Sequence, residues 1–244
     1  MISKHALQSG IEHQAASETL LPIRRRVLDK CTKWISAPHR PGSTKKFIVI
    51  TSNEPELSSE TLQALALKCV ELDISSSSFH FSSSDPTRNC LARLVPTIAY
   101  QLGTTDPSLR DRISTAVDGN PLIFNHKFFQ QLDFVLVQPA RIHAASGRMS
   151  NWRHVVLIDS LEQCNLGDQG TLIHAIKSCI LKKDINTPFR IVIASRPDSA
   201  ISSYLAGKDS NRIIRIDLDE RILAAQQRGN ATEGDRAADE TAVD

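Results

Sequence analysis

Asp159 ends the apolar run HVVLID, and Ser160-Leu161-Glu162-Gln163-Cys164 follow it directly. This spacing sets one carboxylate at the carboxyl edge of a sheet, with Glu162 and Gln163 just beyond. An aspartate so placed can hold Mg²⁺, usually through water, while a neighbouring glutamate orients or activates an attacking water. The same pattern also marks a plain strand-to-loop transition, so the local signal leaves both readings open. The second segment of interest is FIVITSNEPELS, residues 47 to 58: a short apolar strand, a polar turn and a helix start. Asn53 suits an N-cap, Pro55 suits a first helical turn, and Glu56 stands three residues after Asn53 as in a capping box. Other chemistries lack their residues. The eight histidines form no H-E-x-x-H, G-x-S-x-G is missing, and Cys164 with His174 reads as a helix-packing thiol rather than a nucleophile pair.

The elements that must position these residues follow from periodicity. Val27, Leu28, Cys31, Trp34 and Ile35 recur at helical spacing, and APHRPGST then breaks the pattern. Phe47 to Thr51 is a strand buried on both faces. Leu62, Leu65, Ala66, Cys69 and Val70 give a helical stripe, and Ser76 to Phe81 alternates as a second strand. Helical stripes at Leu91 to Leu102, after Pro107, and at Phe128 to Leu136 precede the third strand, His154 to Asp159. A helix at Leu172 to Ile180 leads to a fourth strand, Phe189 to Ser195, and Arg212 to Ile216 reads as a fifth. Strands alternating with helices imply parallel pairing through right-handed crossovers. The expected fold is a three-layer α/β domain of about five strands, with ligands at the strands' carboxyl ends.

At 244 residues and 41% hydrophobic content, the chain is sized for one large domain. The domain is expected over 21–225 with an N-terminal helix at 24–36, between a flexible segment 1–20 and a disordered tail 226–244 that is nearly devoid of large apolar residues. Five scattered cysteines without C-x-x-C suggest reduced, mostly buried thiols rather than a disulfide framework or zinc site. The N-terminus lacks an apolar signal region and no run is long enough for a membrane span, so a cytoplasmic protein without membrane contact is expected. A net charge of +2 with 5% aromatic residues argues against nucleic acid as a partner. Arg24-Arg25-Arg26 and Lys182-Lys183 read as solvated helix faces.

The segments LLPIRRRVLDKCTKWI, SSSFHFSSSDPTRN, LARLVPTIAYQL, HVVLIDSLEQC and FRIVIASRPDS, in this order and spacing, resemble the nucleotide-binding module of fungal NACHT-domain proteins. These belong to the STAND class of P-loop NTPases, which includes NOD-like receptors. The resemblance covers roughly residues 21 to 220. It implies a P-loop fold and, in intact members, a nucleotide-driven signalling switch. Within the resemblance, Asp85-Pro86-Thr87-Arg88-Asn89 is an architectural turn and helix-start element, and Arg196 matches a sensor arginine for the γ-phosphate or pairs with a nearby carboxylate.

The family's phosphate loop, G-x-x-x-x-G-K-[ST], is the part that departs. Laid on that pattern, Thr51 and Glu56 take the glycine positions, Leu57 the lysine position and Ser58 the Ser/Thr position. Without glycine the backbone loses easy access to left-handed conformations, and without lysine the phosphates lose a cation. Glu54 and Glu56 add negative charge; one like-charge pair at about 4 Å costs about 4 kcal/mol at an effective dielectric near 20. In the I-D-G-L-D-E-C motif the aspartate persists as Asp159, but the terminal glutamate is Gln163, and an amide cannot accept a water proton. Glu162 beside it is the remaining candidate base. Compared with the family, the chain also ends before the helical, winged-helix and repeat parts. The expectation is a truncated, degenerate NACHT-type module without NTPase activity or cofactor, acting through protein partners, related NACHT proteins among them. The alternative is a residual switch that binds Mg-ATP or Mg-GTP through Ser58, Asp159, Glu162 and Arg196.

Overall fold

The structure, a computed structural model, describes residues 22–38, 47–146, 154–180, 188–197 and 212–219. The expectations for 1–20 and 226–244 lie outside the described residues. Helix α1, Pro22–Ser36, leads into strand β1, Phe47–Thr51, and then helix α2, Pro55–Glu71, and strand β2, Ser76–His80. After a short 3₁₀ turn come α3, Leu94–Thr105, and α4, Pro107–Gly119. A long helical stretch follows, divided into α5, Phe128–Gln131, a π-helical segment, Leu132–Val137, and α6, Gln138–Ala145. Strand β3, His154–Asp159, helix α7, Leu166–Cys179, and strands β4, Phe189–Ser195, and β5, Ile213–Asp217, complete the described chain.

All the pairings are parallel, in the order β2-β3-β4-β1-β5. This is the expected α/β architecture, a five-stranded parallel sheet between helices. The three central strands are continuous apolar runs because helices cover both faces. Successive side chains then divide between two cores. Phe47, Val49, Val156, Ile158, Ile191 and Ile193 face the helices α3 to α7. Ile48, Ile50, Val155, Leu157, Val192 and Ala194 face α1 and α2.

Local chemistry explains several boundaries. Asp106 caps α4 by accepting from the Leu109 N–H at 3.0 Å, and Pro107, which has no N–H to lose, takes the first helical position. Pro139 cannot donate to the preceding turn, and the widened π-helical ring lies just before it. Helix α1 is fastened by Arg190 of β4, whose guanidinium donates to the carbonyls of Trp34 and Ala37 and lies 5.2 Å from the Trp34 ring centroid.

Some expectations need correction. Arg24 is buried rather than on a solvated face, and it pairs with Glu60 at 2.5 Å; Arg25 and Arg26 are exposed as expected. Val70, placed on the apolar stripe of α2 by its spacing, points outward and is 77% exposed. Asp85 builds a turn, accepting from the Thr87 N–H and hydroxyl and from Arg88 Nε, and these bonds, with the Thr87 hydroxyl first, hold its carboxyl down at about 2. Pro86 starts no helix, because helical structure begins only at Leu91.

Candidate functional site

The carboxyl ends of β1, β2, β3 and β4 meet along one edge of the sheet, where ligands of open parallel sheets bind. Asp159, the last residue of β3, is buried there on the side of α2. Its Oδ1 accepts from the Ser59 hydroxyl at 2.9 Å, and its Oδ2 lies 3.0 Å from His80 Nδ1, which donates to it. Both carboxylate oxygens are therefore engaged. Beside them a small cleft of about 40 Å³ is lined by Leu62, Gln63, Ala66, Ser78, Phe79 and Leu157.

Helix α2 sets which hydroxyl faces this aspartate. Ser58 is buried and donates to the Pro55 carbonyl at 3.0 Å, one turn back along its own helix. Ser59, the next residue, points to Asp159. In a P-loop the Ser/Thr and the strand-end aspartate share one metal ion, whereas here Ser59, not Ser58, faces Asp159. Moved on by one residue, the family pattern would put Ser52 and Leu57 at the glycine positions and Ser58 at the lysine position. Neither register supplies the glycines or the cation.

The turn between β1 and α2 is only Ser52-Asn53-Glu54. Here the expected N-cap is corrected: Glu54 holds that position, Pro55 follows at the first helical position, and Asn53 makes no capping box with Glu56. Asn53 instead donates twice to Asp219 Oδ2, through its backbone N–H at 2.7 Å and its side-chain amide at 2.8 Å. Ser52 Oγ donates to Asp219 Oδ1 at 2.9 Å and accepts from the Glu54 N–H at 3.1 Å. The carboxylate in this turn thus comes from just beyond β5, while Glu54 and Glu56 are exposed. Asp219 was invisible to local reasoning, and its only sequence signal is an acidic residue two places after the last strand.

The remaining residues form a second group. Glu162 Oε2 accepts from the Ser195 hydroxyl at 3.1 Å and from the Arg196 backbone N–H at 3.2 Å. It braces the end of β4. Gln163 Oε1 accepts from the Ser83 hydroxyl at 2.6 Å, which ties the loop after β3 to the turn after β2. Asp159 thus stands with Ser59 and His80, and Glu162 with Arg196. Ser58 joins neither group.

A carboxylate sits on the turn's N–H and hydroxyl donors, no cation stands at position 57 or 58, and the aspartate is already bonded on both oxygens.

The model of the family described as Nephrocystin 3, N-terminal matches residues 27–196. Among solved structures, a chain of the Drosophila ORC structure bound to poly(dA/dT) DNA and Cdc6 is similar at 11% identity and a TM-score of 0.48, over 80% of this chain and 28% of that one. The Aeropyrum pernix ORC2 protein in its ADP form is similar at 13% identity and a TM-score of 0.42, over 83% of this chain and 51% of that one. The present chain therefore spans about a quarter to a half of those chains. No curated protein matches.

Proposed function

Since the chain belongs to the Nephrocystin 3, N-terminal family, we propose that it is a nucleotide-binding-type module of NACHT and STAND character whose phosphate site has degenerated, without NTPase activity, working through protein contacts. One observation carries the reading: the Asp219 carboxylate takes the three donors of the Ser52-Asn53 turn that would otherwise face a phosphate. An anion entering this turn must displace a charge-assisted set of hydrogen bonds, and it gains no lysine in return. Gln163 withholds the proton acceptor that hydrolysis needs.

Calorimetric titration with Mg-ATP, Mg-GTP and ADP tests this. The expected result is no saturable heat at micromolar concentrations. Leu57→Lys alone is expected to stay silent too, because Asp219 remains in the turn and residue 57 is buried against the α1 and α2 core. Micromolar binding that Asp159→Ala abolishes would overturn the reading and favour the second one, a residual ATP or GTP switch. That second reading rests on the Ser59 hydroxyl facing Asp159, with Glu162 and Arg196 at the same edge. The protein-contact role is tested by pull-down with the folded chain and with Asp219→Ala. Recovery of a related NACHT protein supports it, and a purified chain that proves unfolded counts against it.

A further inference from the structure

Outside the phosphate turn, the segment after β2 and the loop after β3 are stitched together by two bonds. The Asn165 N–H donates to the Asn89 carbonyl at 3.0 Å, and the Leu91 N–H donates to Asp168 Oδ2 at 3.3 Å. Cys90 and Cys164 flank the first of these. Both have extended backbones, with φ −144° and ψ 172° at Cys90 and φ −79° and ψ 151° at Cys164. Opposite residues of antiparallel strands hold their Cα atoms about 4.5 to 5.5 Å apart, and the single peptide bond between Asn165 and Asn89 brings their neighbours Cys164 and Cys90 together in a similar way. A disulfide spans about 4.4 to 6.8 Å.

The charge environment of Cys164 agrees with that closeness. Burial pushes the Cys164 thiol up to about 12, and the charges of Asp168 and then Cys90 add to that push. Cys90 is half-buried, so a small oxidant reaches it, whereas Cys164 is enclosed. Cys31, Cys69 and Cys179 are buried on three separate helices.

We propose that Cys90 and Cys164 form an oxidation site, closing to a disulfide when a low-molecular-weight disulfide such as glutathione disulfide is the oxidant. The thiolate of Cys90 attacks one glutathione sulfur; a Cys90–glutathione bond forms, the glutathione S–S bond breaks, and one glutathione thiolate leaves. Cys164 then gives its proton to solvent, and its thiolate attacks the Cys90 sulfur and releases the second glutathione. Two protein thiols are oxidised and one glutathione disulfide is reduced to two thiols. The enclosed, reluctant Cys164 makes closure the slow step, and closure accelerates as pH rises. The closed bond fixes the turn carrying Ser83 against the loop carrying Gln163, which already meet at 2.6 Å.

The test incubates the native full chain with glutathione disulfide at mildly alkaline pH, then quenches it by alkylation in denaturant, so that every remaining thiol is labelled, and maps it by mass spectrometry. The expected product has lost the mass of two hydrogens, contains a Cys90–Cys164 peptide, and carries alkyl groups on Cys31, Cys69 and Cys179. Cys164→Ser should stop at a glutathione adduct on Cys90, and Cys90→Ser should leave Cys164 reduced. Five alkylated thiols in the treated chain overturn the proposal. So does a Cys90 adduct that the unaltered chain never resolves, linkage to another cysteine, or linkage that forms only in urea.

Discussion

His154 begins β3 fully buried, with Nδ1 2.7 Å from the Ser75 hydroxyl and Nε2 2.8 Å from the Ser77 hydroxyl, and with the Phe189 ring edge-on at 6.0 Å. Desolvation favours the neutral ring and lowers its pKa from 6.5 to about 3. The unfolded chain therefore takes up a proton below about pH 6.5 that the folded chain refuses until about pH 3. A depressed histidine stabilises the fold fully above the upper value and loses that contribution as pH falls through the window. The expected slope is about 1.4 kcal/mol per pH unit for one proton. Urea unfolding at a series of pH values between 7 and 4 measures it, and His154→Gln should flatten that slope whatever it does to absolute stability. At this same scale the sequence was only partly legible. Asp159 could be placed because a strand end is a local pattern. The motif points to Ser58 while Ser59 is the hydroxyl that faces Asp159, because a one-residue step along a helix turns a side chain by about 100°, which an imperfect motif cannot resolve. Asp219 acts on a turn 166 residues away, so no spacing rule could find it.

Among the elements, β2 sits at the sheet edge and so exposes backbone groups that a second chain could pair with. Ser75 and Phe81 bond across to β3, so the alternate residue Ser78 directs its N–H and carbonyl outward. Gln101 of α3 meets both: its Oε1 accepts from the Ser78 N–H and its Nε2 donates to the Ser78 carbonyl, each at 2.8 Å. The side chain stands in for a neighbouring strand. Gln101→Ala should lower stability by about 1 to 2 kcal/mol and promote concentration-dependent association, seen by light scattering. A variant that stays monomeric with an unchanged urea midpoint would show that water replaces the clamp without cost. The five strands were readable as apolar or alternating runs bounded by turn residues. The division of Phe128 to Ala145 by a π-helical ring was not, because helical periodicity looks the same on either side of it. The buried Arg24 and Arg190 were equally hidden, since charge alone suggests solvent and only the tertiary partners Glu60, Trp34 and Ala37 accommodate them.

At the scale of the whole molecule, stability should fall from the middle of the sheet toward β5. Strands β3, β4 and β1 have neighbours on both sides and a core on each face, whereas among the described residues β5 pairs with β1 alone. Asp219, two residues past β5, is the extra stitch: it accepts three bonds from Ser52 and Asn53 and donates its own N–H to Asp217 at 2.9 Å. Cutting that stitch should release the edge without unfolding the centre, because local opening needs only the bonds of the opening unit to break. Native-state hydrogen exchange on Asp219→Ala is expected to show the amides of β5 exchanging roughly ten- to a hundredfold faster. That range corresponds to about 1.4 to 3 kcal/mol, the size of one or two charge-assisted bonds. The amides of β3 and β4 should keep their protection unless exchange there already proceeds through global unfolding. Equal acceleration across all five strands would instead mean that the carboxylate supports the entire fold. No change anywhere would mean that it rests on the phosphate turn without holding it, and the reading of that turn as self-occupied would fall with it.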